Sequence, residues 1–270
     1  MLKFIPTPIG NPQDITIRAL REFEKATLFL CEDTRETKRL LSILAKRFEF
    51  IIPKAEFLSF HEHNGKARLL EISERLNSEN VVFVSDAGMP VISDPGQILV
   101  EYCQQNSIEY DVLAGASAVV TAYASSGFEE GKFTFWGFLP HKGSERSAEL
   151  HKIMNSDTNM ILYEAPHRID KLIDEIASID ENREIFLAKE LTKKFQHYYR
   201  GTVKDILRLF ETINLKGEWV VVIRAKKSEE QALYLEDILA FDMPPKIKAK
   251  LLSKITDQSI KEWYQKLISN

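Results

Sequence analysis

The feature that most constrains the fold is an alternation, through about residue 113, between short apolar runs and amphipathic segments. The runs have the length of strands, and Val81–Val84 is wholly apolar, as expected of a strand buried on both faces. The segments between them repeat apolar residues with the helical period, as Ile17, Leu20 and Phe23 do. This alternation predicts a doubly wound α/β sheet, with helices on both faces.

The individual elements follow from the same patterns. In the first half, strands are predicted over residues 3–7, 27–32, 56–60, 81–84 and 108–113, and helices over 16–26, 35–46, 66–76 and 98–106. In the second half, strands are predicted over 133–139, 160–164, 185–189, 196–200 and 219–225, and helices over 144–155, 168–178 and 203–213, the last with Thr202 as N-cap. A charged hinge at 226–230 precedes three short helices over 233–241, 245–255 and 259–268. We therefore expect an α/β domain over residues 1–114, a second over 115–228 and a small helical tail over 229–270.

Composition limits the kinds of partner, metal site and cellular location that are expected for this chain. The net charge of −4 argues against nucleic-acid binding by bulk electrostatics, although a local basic face stays open. The only cysteines, Cys31 and Cys103, are far apart, which disfavours a disulfide framework and a cysteine-ligated metal site. No apolar run could span a bilayer, and Pro6 and Pro8 interrupt the place of a signal peptide core. These features predict a cytoplasmic protein with no membrane span.

Loops rich in glycine and proline follow three of the predicted strands of the first half. They are residues 8–12 (PIGNP), 85–90 (SDAGMP) with 93–96 (SDPG), and 114–118 (AGASA). The carboxyl ends of parallel strands share one edge, where ligands bind, and glycine allows a backbone to approach a ligand closely. A single such loop is more often a simple turn. Three on one edge favour a ligand site, with Asp86 and Ser117 placed to bind polar groups.

The ligand is expected to be compact. No G-x-G-x-x-G follows the first strand, and the chain has no Walker-type Gly-Lys-Ser/Thr segment. Both absences disfavour ordinary dinucleotide and P-loop nucleotide sites.

Six motifs in order carry a family resemblance. They are residues 6–11 (PTPIGN), 32–35 (EDTR), 85–88 (SDAG) with 93–96 (SDPG), 137–140 (GFLP), 163–164 (YE) with 167–168 (HR), and 190–193 (ELTK). The chain resembles the tetrapyrrole-methylase superfamily over about residues 3–225, and most closely the branch that methylates a cytidine ribose 2′-hydroxyl in small-subunit ribosomal RNA. It departs from the usual Pro-Gly-Pro-Ser at residues 114–117, where two alanines replace the prolines, so this loop is expected to be looser.

The resemblance implies a cofactor, S-adenosyl-L-methionine, folded into the cleft between the two α/β domains without a metal. The cofactor contacts that it implies are Ile9, Gly10, Asp86, Met89, Ser117, Ala118, Tyr163, Glu164, Leu191 and Gly217. It also implies small-subunit ribosomal RNA or the small ribosomal subunit as partner, and a homodimer, because the proteins it resembles pair.

Two polar clusters offer candidates for the chemistry. Transfer of a methyl group to a hydroxyl oxygen requires alignment of oxygen, carbon and sulfur, and a general base can take the hydroxyl proton. Residues 60–64 (FHEHN) and 32–35 (EDTR) supply the catalytic candidates Asp33, Arg35, His63 and Asn64. The alternatives are surface histidines in one cluster and a helix N-cap in the other. A metal is disfavoured because no third ligand accompanies the two histidines.

Three basic residues are candidates for contacts with RNA phosphate. Arg35, Arg168 and Lys193 each follow a predicted strand, and arginine suits bidentate phosphate contacts. A role at a helix start is the competing interpretation for Arg168.

The tail admits two interpretations. From Pro244 onward it carries six lysines against two acidic residues, together with Trp263 and Tyr264, which is compatible with a module that docks on RNA or the ribosome. The other interpretation is a solvated helical cap. In both, the predicted core residues of the tail are Leu251, Ile255, Trp263 and Leu267.

Two other functions stay open at this point. One is a methyltransferase on the same scaffold that acts on a tetrapyrrole or a protein side chain, because a fold alone does not select the acceptor. The other is a non-catalytic sensor of S-adenosylmethionine, which the polar clusters beside the cofactor loops disfavour.

Overall fold

The computed structural model describes residues 1–61, 63–129, 131–226 and 235–269, with only the backbone of residue 269. The chain forms two compact units, Met1–Lys226 and Lys227–Asn270. Residues 227–230 of the predicted hinge, residues 233–234 of the predicted helix after it, and Glu62 of the FHEHN motif lie outside the described residues.

The first sheet of the larger unit is entirely parallel. Its strands are β1 (Leu2–Phe4), β2 (Leu28–Cys31), β3 (Glu56–Ser59), β4 (Val81–Val84) and β5 (Tyr110–Val112), in the order β3-β2-β4-β1-β5. The register aligns Leu2 of β1 and Leu28 of β2 with the same residue of β4, Val81. All five carboxyl ends therefore lie at one edge, as the sequence predicted.

Helices cover both faces of this sheet. They are α1 (Ile17–Lys25), α2 (Thr34–Phe48), α3 (Gly65–Ile72), α4 (Arg75–Ser78) and α5 (Gln97–Gln105). Val81 and Phe83 of β4 belong to one core with residues of α3, α4 and α5, whereas Val82 and Val84 belong to the other with residues of α1 and α2. Because successive side chains of a strand point to opposite faces, an unbroken apolar run was the correct sign of a doubly covered sheet.

The second sheet is mixed. Its strands are β6 (Phe133–Phe138), β7 (Asn159–Glu164), β8 (Glu184–Lys189), β9 (His197–Thr202) and β10 (Trp219–Ile223), in the order β6-β7-β10-β8-β9. Only β6 and β7 pair in parallel, and the other three pairs are antiparallel. The predicted α/β fold class is thus confirmed, with a mixed sheet in the second half.

Four helices accompany the second sheet: α6 (Ala118–Ser126), α7 (Ser144–Met154), α8 (Ile169–Asp180) and α9 (Val203–Phe210). The last three contribute to one core, and α6 contributes to the core on the opposite face. Ile9, from the loop after β1, also packs against the α6 core, so the two sheets share apolar contacts. Thr202 caps α9 as predicted, since its hydroxyl oxygen accepts a hydrogen bond of 3.2 Å from the amide of Asp205.

The smaller unit contains α10 (Leu235–Ala240), α11 (Pro245–Ile255) and α12 (Ile260–Ser269). Its core is formed by Ile238, Ala249, Leu252 and Trp263, with Leu235 and Leu267 packed against it. The predicted core places of Leu251 and Ile255 are wrong, because their side chains are 38% and 51% exposed. The face of α11 that turns inward is the one with Ala249 and Leu252.

Two predicted elements differ from the structure for local reasons. The first strand ends at Phe4 rather than residue 7, because Pro6 has no N–H to donate to a ladder, and Thr7 pairs with Gly88 in an isolated antiparallel bridge. The single helix predicted over 66–76 is two helices, α3 and α4. Between them the Ser73 hydroxyl donates to the Leu70 carbonyl at 3.1 Å, a local bond that competes with the helical pattern.

Within the described part of the chain, none of the helices is both long and apolar enough to cross a membrane.

Candidate active site

A small pocket of about 60 Å³ lies at the carboxyl edge of the first sheet. Three loops that follow β1, β4 and β5 line it together with Tyr163 of β7. The lining residues are Ile9, Ala87, Gly88, Met89, Ile92, Asp94, Ser117, Ala118 and Tyr163. Five of the ten predicted cofactor residues, Ile9, Met89, Ser117, Ala118 and Tyr163, are therefore brought together in one place.

Backbone contacts hold two of these loops side by side. Thr7 and Gly88 exchange two N–H···O bonds of 3.0 Å, which join the loop after β1 to the loop after β4. Gly88 has φ +81°, a conformation that favours glycine, and a Cβ built there would lie 3.1 Å from Cγ2 of Ile9. A side chain at residue 88 would therefore crowd the pocket wall.

Gly10 faces protein rather than the pocket. A Cβ built at Gly10 would lie 2.8 Å from the carbonyl oxygen of Leu191 and 2.7 Å from Oγ1 of Thr192, and the Asn11 amide donates to that Thr192 hydroxyl at 3.0 Å. Leu191 is itself buried. These contacts hold the first loop against the segment after β8. The predicted contacts of Gly10 and Leu191 with a cofactor stay predictions.

Gly217 also packs against a side chain. It has φ +122°, and a Cβ there would lie 2.7 Å from Cγ of Glu190. Oε1 of Glu190 accepts hydrogen bonds from the amide of Glu218 at 2.9 Å and from Lys193 at 3.2 Å. Lys193 also pairs with Glu218 at 2.8 Å, so its charge is already matched within this turn.

A wide cleft of about 790 Å³ adjoins the small pocket. It mixes carboxylates, imidazoles, a lysine and apolar side chains, and its lining residues are Glu32, Phe60, His61, His63, Lys66, Val91, Ser93, Asp94, Pro95, Gly96, Gln97 and Ile98. Among the described residues, Asp94 is the only one that lines both cavities. The sequence analysis identified the SDPG motif at residues 93–96 but did not name Asp94 as a site residue. Its place between two cavities depends on the tertiary structure, which a local motif does not reveal.

Three carboxylates at this edge, those of Glu32, Asp86 and Asp94, have raised pKa values. Burial is the main cause for Asp94, and repulsion from Glu32 and Asp86 adds to it, so that its pKa rises to about 6 although a hydrogen bond from Ser85 opposes the change. Burial likewise raises the pKa values of Glu32 and Asp86. Burial raises the pKa of Tyr163 to about 12, and the charge of Asp94 contributes. Burial therefore favours the protonated form of Glu32, Asp86, Asp94 and Tyr163.

Asp86 does not line either cavity. Its Oδ1 accepts a hydrogen bond of 3.1 Å from the amide of Asp33, which ties the loop after β4 to the EDTR segment. Its neighbours Ala87 and Gly88 line the small pocket, so the predicted loop reaches the site. The Asp86 carboxylate itself binds the backbone of the EDTR segment.

Asp33 and Arg35 form a local pair at the start of α2. Asp33 caps the helix, accepting from the Arg35 amide at 2.7 Å, and its carboxylate binds the guanidinium at 2.7 Å. The hydrogen bonds and charge of Arg35 lower the pKa of Asp33 to about 2. The Arg35 side chain is 87% exposed, so most of its surface is accessible to a partner. The N-cap interpretation is thus correct for Asp33, and the predicted catalytic roles of both residues stay predictions.

In the FHEHN segment, Asn64 supports the loop and His63 faces the cleft. Oδ1 of Asn64 accepts from the His61 amide at 2.8 Å, and its amide nitrogen donates to the carbonyl and the hydroxyl of Ser59, each at 3.1 Å. Asn64 therefore holds the turn that presents His61 and His63 to the wide cleft. No cluster of three or more possible metal ligands occurs among the residues that the structure describes.

Glu164 and Arg168 belong to a buried ion-pair network. The Glu164 side chain is fully buried, and it lies 3.3 Å from Nη2 of Arg146 and 2.9 Å from Nε of Arg168. Arg168 also donates to the carbonyl of Leu139 at 2.8 Å. These contacts give both residues a structural role, and their predicted contacts with cofactor and RNA stay predictions.

The architecture consists of two sheets covered by helices, with a pocket where the carboxyl edge of one sheet meets a strand of the other. The structure is similar to that of a methyltransferase named CobJ, with a TM-score of 0.59 and 18% identity, covering 86% of this chain and 96% of that one. It is also similar to a uroporphyrin-III C-methyltransferase from Thermus thermophilus complexed with S-adenosyl homocysteine, with a TM-score of 0.56 and 11% identity, covering 82% and 96% of the two chains. These likenesses show the fold.

Sequence comparison supplies the family. The model of the tetrapyrrole (corrin/porphyrin) methylases matches residues 1–207. Proteins named ribosomal RNA small subunit methyltransferase I are similar over long alignments: one from Campylobacter fetus is 45% identical over 100% of both chains, and one from Helicobacter pylori strain J99 is 43% identical over 98% of this chain and 96% of its own. A third, from Thermotoga maritima, is 42% identical over 84% of this chain and 99% of its own. The chain belongs to the tetrapyrrole methylase family and, within it, to the group of these ribosomal RNA methyltransferases.

Proposed function

We propose that the protein transfers a methyl group from S-adenosyl-L-methionine to small-subunit ribosomal RNA, at the 2′-hydroxyl of a cytidine ribose. The relatives with 43% and 45% identity over nearly the whole chain are named ribosomal RNA small subunit methyltransferase I. The observation that carries the proposal is the arrangement of two adjoining cavities. A pocket lined by three sheet-edge loops opens beside a cleft of about 790 Å³, which lies in the size range of small-molecule sites and suits a single nucleotide.

The small pocket suits part of the cofactor. Ile9, Met89 and Ala118 provide apolar contacts, and Ser117 and Tyr163 provide polar ones. When bound, S-adenosylmethionine supplies a methyl group activated by a sulfonium centre. The pocket volume of about 60 Å³ is well below the roughly 300 Å³ of typical ligand sites, so this pocket holds only part of the cofactor.

The wide cleft suits the acceptor nucleotide. His61, His63 and Lys66 offer nitrogen donors to an anionic phosphate, and Glu32 and Asp94 offer acceptors to ribose hydroxyls. Chemistry on a nucleotide inside a structured RNA requires that nucleotide to leave its stack and enter a pocket. Arg35, exposed at the start of α2, is placed to contact RNA phosphate outside the cleft.

An acceptor assay tests the function. Purified protein is incubated with methyl-labelled S-adenosylmethionine and one of three acceptors: small ribosomal subunits that lack the modification, free ribosomal RNA, or a tetrapyrrole. We expect label in RNA, in a dinucleotide that resists alkaline hydrolysis because its 2′-oxygen is blocked. Label in the tetrapyrrole alone, or in no acceptor, would contradict the proposal.

Charge reversal at Arg35 tests the RNA contact. Arg35→Glu is expected to lower kcat/KM for RNA about tenfold, because one phosphate contact is replaced by repulsion, with the Kd for S-adenosylmethionine unchanged. Arg208→Glu is the matched control, since Arg208 is also an exposed arginine (71%) beside a helical aspartate, Asp205. Equal kcat/KM in both variants would remove Arg35 from the RNA interface.

We also infer that the protein acts as a homodimer in the cytoplasm, as its resemblance to paired proteins implies. Exposed apolar side chains beside α6 support this: Val120 is 57% exposed, Phe133 39% and Tyr198 44%. Contacts of Tyr123 with Phe133 and of Ser125 with Tyr198 place them next to this helix. A mass of twice that of the chain in light scattering is the expected result.

A further inference from the structure

We propose that Phe195 and Lys194, in the segment after β8, form a stacking site for an unpaired base of the RNA acceptor. This inference rests on the proposed function, because it needs RNA as the substrate. Neither residue lines the small pocket or the wide cleft. The proposal therefore adds a binding site outside both cavities, and it names the form of RNA that the site takes, a single strand with exposed bases.

Phe195 is an aromatic side chain left in solvent. It is 65% exposed, and the residues beside it in the chain, Lys193, Lys194, Gln196 and His197, are all polar. A stable interface between proteins covers about 800 Å² on each partner, far more than one ring can offer. An unpaired nucleic-acid base, in contrast, needs only one flat aromatic face to stack on. The lone ring therefore suits a base better than it suits a protein surface.

The lysine beside this ring is available to a phosphate. Lys193 pairs with Glu190 at 3.2 Å and with Glu218 at 2.8 Å. Lys194 is exposed and, within the part of the chain that the structure describes, pairs with no carboxylate. Its Nζ lies 5.4 Å from the centroid of the Phe195 ring. A strand whose base stacks on the ring can therefore place its backbone phosphate against this ammonium group.

Hydrogen bonds fix the backbone that carries the ring. The Thr192 amide donates to Oε1 of Gln196 at 2.6 Å, and the Gln196 amide donates to the Lys193 carbonyl at 3.1 Å. Glu190 and Thr192 have φ +51° and φ +60°, although neither is glycine. Such positions persist where the surrounding structure determines them, and they cluster at ligand sites. A segment that is ordered before binding loses less conformational entropy when a base stacks on it.

The same segment packs against the loop that lines the small pocket. The Asn11 amide donates to Oγ1 of Thr192 at 3.0 Å. Ile9, which lines the small pocket, packs against the core that contains Leu191. Phe195 follows Leu191 by four residues, so their Cα atoms are at most about 14 Å apart. RNA that stacks on Phe195 is therefore held close to the loop that contacts the proposed methyl donor.

The first experiment measures the Kd for two RNA probes by filter binding. Oligouridylate is single-stranded with weakly stacked bases, and an RNA duplex keeps its bases enclosed. Phe195→Ala is expected to raise the Kd for oligouridylate about tenfold, the scale of stacking on one base, and the Kd for the duplex by less than about twofold. Ile51→Ala is the matched control, because Ile51 is an apolar side chain that is 74% exposed in another loop. It should match the wild type with both probes.

Salt dependence separates stacking from charge. Lys194→Gln is expected to lower the slope of log Kd against log salt for oligouridylate by about 0.7, because one counterion fewer is released from a single strand. Phe195→Ala should keep the wild-type slope. Phe195→Trp should keep the wild-type affinity, and oligouridylate should quench the fluorescence that the added tryptophan contributes. A changed slope in Phe195→Ala, or an Ala-like affinity in Phe195→Trp, would overturn the proposal.

Turnover connects this site with the reaction. On small ribosomal subunits that lack the modification, Phe195→Ala is expected to raise KM about tenfold and to keep kcat within about twofold of the wild type. The reason is that a stacked base contributes equally to the ground state and the transition state. The Kd for S-adenosylmethionine, measured by calorimetry, should not change.

The remaining outcomes are distinct. A wild-type Kd for oligouridylate or a wild-type KM in Phe195→Ala overturns the inference and leaves the proposed function intact, as does a wild type that methylates RNA without binding oligouridylate. A fall from dimer to monomer mass in Phe195→Ala would mean that the ring contacts a second copy of the chain, and it also overturns the inference. Failure of the wild type to methylate RNA overturns the proposed function and the inference with it.

Discussion

Glu164 shows how strongly one residue of this protein depends on its partners. Its carboxylate is fully buried between the guanidinium groups of Arg146, which is 2% exposed, and Arg168, which is 15% exposed. A buried charge without a partner is far more destabilising than a buried pair, because the low-dielectric interior does not replace the lost water. Glu164 therefore holds the guanidinium groups of Arg146 and Arg168 in place at the end of β7.

Removing the charge of Glu164 should lower the stability of the folded protein. We expect Glu164→Gln to lower the free energy of unfolding by about 3 kcal/mol, since Arg146 and Arg168 lose their shared carboxylate inside the fold. The control is Glu181→Gln, which breaks an exposed pair with Lys204 at 3.3 Å and should change the free energy by less than about 1 kcal/mol. Urea denaturation measures both. Equal effects would show that the network is not structural.

At the scale of elements, the first loop depends on Gly10. A Cβ at this position would lie 2.8 Å from the backbone oxygen of Leu191, which cannot move as a flexible side chain does. Gly10→Ala should therefore displace the loop that carries Ile9 and raise the Kd for S-adenosylmethionine about tenfold. Gly131→Ala is the matched control, because nothing lies within 4 Å of a Cβ built there. Calorimetry that finds the same Kd for both variants would contradict this prediction.

The sequence predicted the order and nearly all of the strands and helices, because periodicity reports burial directly. Residues 81–84 and 245–255 were placed with the observed bounds. It failed where the outcome depends on packing: the apolar Leu251 and Ile255 have the helical spacing of core residues, yet Ala249 and Leu252 turn inward. Local pattern cannot decide which of two adjacent apolar stripes meets a neighbour.

The candidate site was predictable in part for a similar reason. Loops that end parallel strands must meet at one edge, so the meeting of the loops after β1, β4 and β5 was predicted correctly. Of the two residues selected from these loops, Ser117 lines the small pocket and Asp86 does not. Whether a glycine in such a loop faces a ligand or another segment is invisible in the sequence, because both situations require the missing side chain. Gly10 is the example, since it packs against Leu191 and Thr192.

At the scale of the whole molecule, the smaller unit lies outside the residues that the methylase family model matches. The family model ends at residue 207, and the relative from Thermotoga maritima uses 99% of its own length to match 84% of this chain. The cores of the larger unit are built from its own residues. On α11, the exposed Lys246, Lys250 and Lys254 recur every four residues and so form one row on the helix.

A chain that ends at Lys226 should therefore fold and bind S-adenosylmethionine with a Kd within about twofold of the full chain. Its affinity for RNA should fall, and the slope of log Kd against log salt should decrease by about 2, because the lysine row no longer displaces counterions. Filter binding over a salt series measures both. An unchanged slope would favour the interpretation of the smaller unit as a solvated cap.

The sharing of a single lining residue, Asp94, between the two cavities has an evolutionary consequence. On the proposed assignment of the wide cleft to the acceptor and the small pocket to the methyl donor, substitutions in the wall formed by His61, His63 and Lys66 would alter which acceptor is admitted without changing the contacts to the donor. Evolutionary change confined to that wall would let one ancestral scaffold give rise to enzymes for tetrapyrrole acceptors and to enzymes for an RNA acceptor. Specificity and donor capture are, in this architecture, separately tunable.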